Sequence, residues 1–330
     1  MYGYEVFHED TVKELIDNVH KGNSRHAYLF VGPEGVGKLK VAKLFSQALT
    51  CNSPEIAPCG NCPACIGTKS ETNPDIRYIR PIDDKKSVTA EQAREIVADA
   101  YIKPFESSKK IYIIEDASVL NEFAQNCLLK ILEEPPEYIV FIIISTGEDE
   151  LLQTVLSRCT TISFPVVSEE VIKNYIKVHY PERTEDMPLL MSLSQGIPGE
   201  LDKILCDPDY EIIRQESFKM LVPLMSRHKI SAYKVCEFLE DYKDRTTMIF
   251  DFWQSFLRDI IMIKNSSDKL IINKDMKDEL KTLSSKMNDK FPVIVMEQII
   301  RATKMNKRYV NLHSLGLNLS FSIKNRLYTK

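Results

Sequence analysis

Through the first half of the chain, short runs that are apolar at every position alternate with longer stretches of helical periodicity. Ala27-Tyr28-Leu29-Phe30-Val31 ends at a glycine, Ile111-Tyr112-Ile113-Ile114 and Ile139 to Ile144 repeat the pattern, and Thr160 to Phe164 is a further strand candidate. Asp75 to Arg80 alternates instead. Runs that are apolar on both faces suit the strands of a parallel sheet covered by helices. Between them lie predicted helices over Lys38–Leu49, Thr89–Tyr101 and Asn121–Glu134. The second opens with Thr89 and carries Gln92 three residues on, a capping-box pattern. The third has apolar Phe123, Leu128, Ile131 and Leu132 and stops at Pro135-Pro136. This alternation predicts an α/β domain over residues 1–166, a five-stranded parallel sheet with helices on both faces.

The rhythm changes after Phe164-Pro165. Ser168 is placed to cap a helix, and a second short helix, Pro188 to Ser194, ends at Gln195-Gly196. Residues 167–206 therefore read as a small helical unit. From 207 to 330 the periodicity is helical throughout, with breaks expected at Pro208, Pro223, Asn265-Ser266-Ser267 and Phe291-Pro292, which predicts an all-α domain.

Composition changes this picture little. Of 330 residues, 44% are hydrophobic and 27% charged, as in ordinary soluble domains. The longest unbroken apolar run, Tyr138 to Ile144, is far short of the ~20 residues of a membrane span. Met1-Tyr2-Gly3-Tyr4-Glu5 does not read as a signal peptide, so a cytoplasmic location is expected. The net charge of −4 argues against a protein that grips nucleic acid by bulk positive charge. Yet the charge is uneven: −10 over residues 1–205, +6 over 206–330, and +7 within Arg301–Lys330 alone. A basic end of this kind is read first as a solvated helix face and second as a phosphate-backbone contact.

Two segments carry candidate chemistry. Gly32-Pro33-Glu34-Gly35-Val36-Gly37-Lys38 follows the first strand and opens a helix. It is a phosphate-binding loop: Gly32, Gly35 and Gly37 let backbone N–H groups wrap a phosphate, and Lys38 reaches its terminal oxygens. The next residue should carry a hydroxyl for Mg²⁺ but is Leu39. After the third strand the acidic pair reads Glu115-Asp116, the reverse of the usual order. Two defects in one metal site make a loop that can hold ATP or ADP but is poorly built to hydrolyse it.

The second segment is Cys51-x7-Cys59-x2-Cys62-x2-Cys65, four of the eight cysteines within fifteen residues, interleaved with Pro, Gly and Asn. Turn-forming residues let four thiolates converge on one tetrahedral ion, and a closed four-cysteine site is structural because no position is left for water. Zn²⁺ is the expected ion; an iron–sulfur cluster would use the same ligands, but nothing else signals redox work.

Four stretches together resemble the clamp-loader subunits of bacterial DNA polymerase III, and among these the delta-prime branch. They are His26 to Pro33, the cysteine knuckle, Asn126-Cys127-Leu128-Leu129-Lys130-Ile131-Leu132-Glu133-Glu134-Pro135-Pro136, and Leu156-Ser157-Arg158-Cys159. The resemblance is specific over 1–166 and only architectural over the last domain. It implies a P-loop AAA+ module with a helical lid, followed by a collar domain that joins five subunits in an open ring. It further implies gamma/tau-type ATPase and delta subunits as neighbours, with a sliding clamp and primer-template DNA bound by the assembly. On this reading Arg158, in the Ser-Arg-Cys motif, is an arginine finger for a neighbour's nucleotide. Ser145-Thr146 falls at the first sensor of the γ-phosphate, and Gly199 stands where active members carry a second sensor arginine. The first cysteine gap is slightly shorter than is usual in the family.

The leading expectation is thus a clamp-loader subunit that does not hydrolyse ATP itself. An autonomous ATPase with a degenerate metal site is the alternative, and a zinc-dependent nucleic-acid-binding module is a third reading that the acidic first 205 residues disfavour.

Overall fold

A computed structural model describes residues 7–82, 85, 87–184, 187–225, 229–267, 270–306 and 311–328. The first residues of the chain, and Lys307, Arg308 and Lys330 of its basic end, lie outside the described residues.

The chain divides into two compact units: Met1–Thr184 with Ser194–Leu201, and Glu185–Leu193 with Asp202–Lys330. In the first unit, helix α1 (Glu9–His20) precedes strand β1 (Ala27–Val31), which leads into α2 (Lys38–Thr50) and the short α3 (Pro63–Lys69). There follow β2 (Ile76–Ile79), α4 (Ala90–Ala100), β3 (Lys110–Ile114), α5 (Glu122–Glu133), β4 (Ile139–Ser145), α6 (Gln153–Leu156), β5 (Thr160–Ser163) and α7 (Glu169–His179). Helices α8 (Met187–Ser194) and α9 (Pro198–Cys206) each have residues in both units.

All five expected strands form, and they pair in parallel in the order β2-β3-β4-β1-β5. The all-apolar runs have the expected cause: β3 and β4 are buried at every position. On one face Leu29, Tyr112, Ile114, Phe141 and Ile143 pack with Ala93 of α4 and with Leu128 and Ile131 of α5. On the other, Tyr28 sets its ring edge-on to Phe45 of α2 at 5.0 Å. This is a parallel α/β fold with a glycine-rich phosphate-loop segment after its first strand, and the helices of the second unit follow it in sequence. Parallel strands gather the loops that follow them at one edge of the sheet. The glycine-rich segment after β1, Arg80 after β2, Glu115 after β3 and the Ser145 end of β4 therefore share the C-terminal edge. His26 and Arg158, which precede β1 and β5, belong to the opposite edge.

Local signals behave mostly as read. Thr89 and Gln92 form the reciprocal capping box of α4, and Asn121 caps α5. Ser168 takes the N-cap position of α7, but its side chain makes no cap bond; Glu169 and Glu170 place negative charge in that first turn instead.

The second unit is helical: α10 (Tyr210–Met225), α11 (Lys229–Asp241), α12 (Thr246–Lys264), α13 (Lys277–Ser285), α14 (Phe291–Asn306) and α15 (Leu312–Tyr328). Two expected breaks differ. Pro223 lies inside α10, near its end, and Pro292 falls in the first turn of α14, where its missing N–H costs nothing. The core holds Trp253, Phe250 and Phe256 of α12, with the Trp253 indole donating to the Ser217 carbonyl at 2.7 Å. The buried Arg214 is paired at both guanidinium ends with Asp275, at 2.7 and 2.9 Å. No described helix is long and apolar enough to cross a membrane.

Candidate functional site

The phosphate loop has the backbone its sequence demands. Gly35 and Gly37 sit at φ 78° and 112°, a region that side chains with a Cβ rarely enter, and Gly37 caps the start of α2. Gly32 is required by crowding: a Cβ there would lie 2.2 Å from the Phe164 carbonyl oxygen. His8, just before α1, donates from Nε2 to the Val36 carbonyl at 2.9 Å.

Within this frame the chain's own groups occupy the polar positions. The Lys38 ammonium donates to the carbonyls of Gly32 and, at 2.7 Å, Pro33. Burial lowers its pKa, against the pull of Glu34, Glu150 and Asp116. Glu150 is held by the hydroxyls of Ser145 and Thr146, both at 2.5 Å. Those are the residues at the expected first-sensor position, and here they bind a carboxylate. Glu115 is gripped by Arg80, whose Nε donates to one carboxylate oxygen at 2.8 Å and whose Nη2 reaches the other at 2.5 Å. Asp116 spends one oxygen capping the turn at Ser118. Opposite the loop, the Gly199 N–H donates to the Gly35 carbonyl at 2.8 Å, and a Cβ on Gly199 would lie 2.8 Å from Gly35 Cα. Position 199 is thus packed on the loop backbone, with no room for an arginine side chain.

Arg80 and Glu150 are missed by the sequence reading. Register explains Arg80: Ile79 pairs with Ile114, so the next residues of the two strands, Arg80 and Glu115, lie side by side.

The second cluster starts where α2 ends. Cys51 is the C-cap residue of α2, and Cys62 caps α3, which begins at Pro63. The four Sγ atoms of Cys51, Cys59, Cys62 and Cys65 all lie within 4.8 Å of one another, the only such group of metal-ligating side chains among the described residues. Cys59–Cys65 and Cys62–Cys51 are separated by 3.9 and 4.0 Å. Sulfurs 2.3 Å from one zinc at tetrahedral angles would be about 3.8 Å apart, whereas a disulfide needs about 2.05 Å. The backbone also prepares for thiolates. The N–H groups of Ser53 and Cys59 donate to Cys51 Sγ, that of Cys62 to Cys59 Sγ and that of Cys65 to Cys62 Sγ, at 3.4 to 3.5 Å. Such bonds, from Asn61 and Cys62, lower the Cys59 thiol to about 6, while burial raises Cys51 and Cys65. The donor set fits a structural zinc ion.

Arg158 lies at the other edge of the sheet. Its Nη1 donates to the Thr154 carbonyl at 2.6 Å and to Ser157 Oγ at 3.2 Å, and its Nη2 to Glu133 Oε1 at 2.6 Å. His26, Leu132, Glu133, Ser157 and Arg158 line a shallow cleft of about 550 Å³.

Residues 7–168 match the family described as DNA polymerase III, delta subunit. The tau subunit of Bacillus subtilis DNA polymerase III is 35% identical over 168 residues, 51% of this chain and 29% of that one. The delta-prime subunit of the same organism is 26% identical over 310 residues, covering 93% of this chain and 92% of the other. The chain belongs to the delta-prime/tau/gamma family of DNA polymerase III clamp-loader subunits. It spans 29 to 45% of the length of the first curated relatives it matches, all tau or gamma subunits. Among solved structures, a DNA polymerase III gamma subunit-related protein of Thermotoga maritima aligns with a TM-score of 0.47 at 15% identity, over 96% of this chain and 98% of that one.

Proposed function

We propose that this chain is a clamp-loader subunit that does not hydrolyse ATP and that lends Arg158 to the nucleotide of an adjacent ATPase subunit. One observation carries the reading: Arg158 and the phosphate loop lie at opposite ends of parallel, neighbouring strands. Tyr28 is level with Thr160, so Arg158 stands near His26, about six residues or roughly 20 Å along the strands from Gly32. An arginine so placed faces away from its own loop and toward whatever abuts the N-terminal edge of β5. The state of the loop supports the other half of the reading. Leu39 offers no ligand to Mg²⁺, Glu115 is tied to Arg80, and Lys38 is turned onto loop carbonyls beside three carboxylates.

In this reading residues 1–166 are the AAA+ module with a zinc-stabilised insert, 167–206 the lid, and 207–330 the collar through which gamma/tau-type and delta subunits join a five-membered ring. The assembly places a sliding clamp on primer-template DNA. A guanidinium stabilises charge on a transferring γ-phosphate, and such fingers contribute about 10³–10⁵ in rate.

The test is Arg158→Ala in the reconstituted assembly, with ring formation checked by gel filtration. Hydrolysis at the interface this chain serves is expected to fall about 10³-fold while the ring still forms. The isolated wild-type chain is expected to show no turnover. Intact rings that hydrolyse at the wild-type rate would remove the trans role. Steady turnover by the isolated chain, abolished by Lys38→Ala, would establish the autonomous ATPase instead.

A further inference from the structure

The guanidinium of Arg158 has few free donors. Nη1 is taken by the Thr154 carbonyl and the Ser157 hydroxyl, and Nη2 by Glu133. Two-point binding of a phosphate needs two parallel N–H groups on one edge of the guanidinium. Nη2 is common to both edges that can bind in this way, so any two-point grip on a phosphate recruits the nitrogen that Glu133 now holds.

Of those partners, Thr154 and Ser157 belong to the same turn and travel with Arg158. Glu133 does not: it is the last residue of α5, 25 positions away in sequence, and among the described residues it carries the only opposing charge on the guanidinium. The Arg158 and Glu133 side chains are 31% and 49% exposed, beside the open cleft. The ion pair is therefore water-accessible and weak, of the kind that a more highly charged anion displaces.

We propose that Glu133 is a positioning residue, a latch that holds Arg158 against its own subunit until a neighbour's triphosphate competes for the guanidinium. This rests on the trans-acting role proposed for Arg158 and adds its regulation. With the latch closed, basal hydrolysis by the neighbour is restrained; when DNA draws the subunits together, the triphosphate replaces Glu133 and the restraint ends.

The experiment compares wild type, Glu133→Gln, Arg158→Ala and the double variant in the reconstituted assembly, measuring ATP hydrolysis without and with primed DNA. Glutamine keeps the shape of the side chain and removes the charge. Glu133→Gln is expected to raise the DNA-free rate about two- to fivefold, the range open to a partly exposed ion pair, and to leave the DNA-stimulated maximum unchanged. In the Arg158→Ala background it is expected to change nothing. A purely structural contact at the end of α5 would lower both rates or ring yield, and would not raise the basal rate. If Arg158→Ala slows hydrolysis but Glu133→Gln matches wild type without DNA, the latch is wrong and the finger stands. If Glu133→Gln acts equally in the double variant, it works by another route and the latch is again wrong. If Arg158→Ala itself changes nothing, the finger reading fails and the latch with it.

Discussion

Helix α2 carries a candidate site at each end, and the two differ in how sequence motif relates to chemistry. At its N-terminus the glycines and lysine of the motif are present, though Leu39 replaces its hydroxyl, and the backbone has the positive-φ glycines a phosphate needs. Yet Lys38, Glu115, Ser145 and Thr146 are all bonded to groups of the chain itself. At its C-terminus the cysteine spacing is looser, with a seven-residue first gap, but four sulfurs converge on one point at spacings that suit a tetrahedral ion. The same neighbour braces both ends: at the head of α1, His8 bonds Val36 of the phosphate loop, and at its tail His20 bonds the Ala57 carbonyl within the cysteine loop. A motif thus records what a backbone can wrap around, and side-chain partners decide whether anything is left to bind.

The largest effect is expected at the cysteine end. Four thiolates around one ion hold a loop with little apolar core of its own, so the bound metal supplies much of the local folding free energy. Cys65→Ser, at a fully buried position, is expected to reduce zinc from about one per chain to well below that and to lower the unfolding midpoint of the first unit by about 10 °C. Cys206→Ser, at an exposed position, should leave both unchanged. Elemental analysis and thermal melts decide it; equal zinc in the two variants would remove the metal from the C-terminal end of α2 and with it the comparison.

How much of this was legible follows from sequence distance. Strands β1, β3 and β4 were readable because burial on both faces leaves a mark within each run, whereas β2 alternates and β5 is largely exposed. The capping box of α4 was readable because its two residues are three apart. The phosphate loop and the cysteine cluster are also local. Arg80–Glu115, Ser145–Glu150 and Glu133–Arg158 differ: the first and last join residues 35 and 25 positions apart, and strand register, which no single segment encodes, brings Arg80 and Glu115 together. Helix α3 escaped notice because its signals, Cys62 as cap and Pro63 in the first turn, were read only as ligand and turn residues. Pro223 misled because a proline near the end of a helix is tolerated where packing holds the last turn.

At the phosphate-loop end an intermediate effect tests whether the loop is held by crowding. Gly32→Ala would force a Cβ to within 2.2 Å of the Phe164 carbonyl oxygen, so β1 and the end of β5 must part. A loss of about 2 kcal/mol or more is expected in denaturant unfolding of the first unit. A near-neutral result would show that the loop yields readily, and that its self-bonded state is one of several.

The smallest effect concerns His8, the brace at that same end. Its ring is buried, donates to Val36 and stands edge-on to Phe164 at 5.0 Å. Burial lowers its pKa below the ordinary 6.5, although the Val36 carbonyl pulls the other way. The folded state therefore resists protonation more than the unfolded state does, and between the two pKa values the unfolded chain binds more protons. Stability must rise with pH through that window, which lies below about 6.5. The contribution of His8 is fully present above the window and is lost as pH falls through the folded-state value. Glutamine can donate to the same carbonyl without titrating, so the pH-dependent part of the wild-type unfolding curve that is absent from His8→Gln belongs to this residue. His8→Gln is expected to match wild type at pH 8 to within about 1 kcal/mol and to lose less stability than wild type on going to pH 5. Parallel curves for the two proteins would mean that the proton on His8 is indifferent to folding, and that the phosphate-loop end of α2 is held by its glycines and by Phe164 alone.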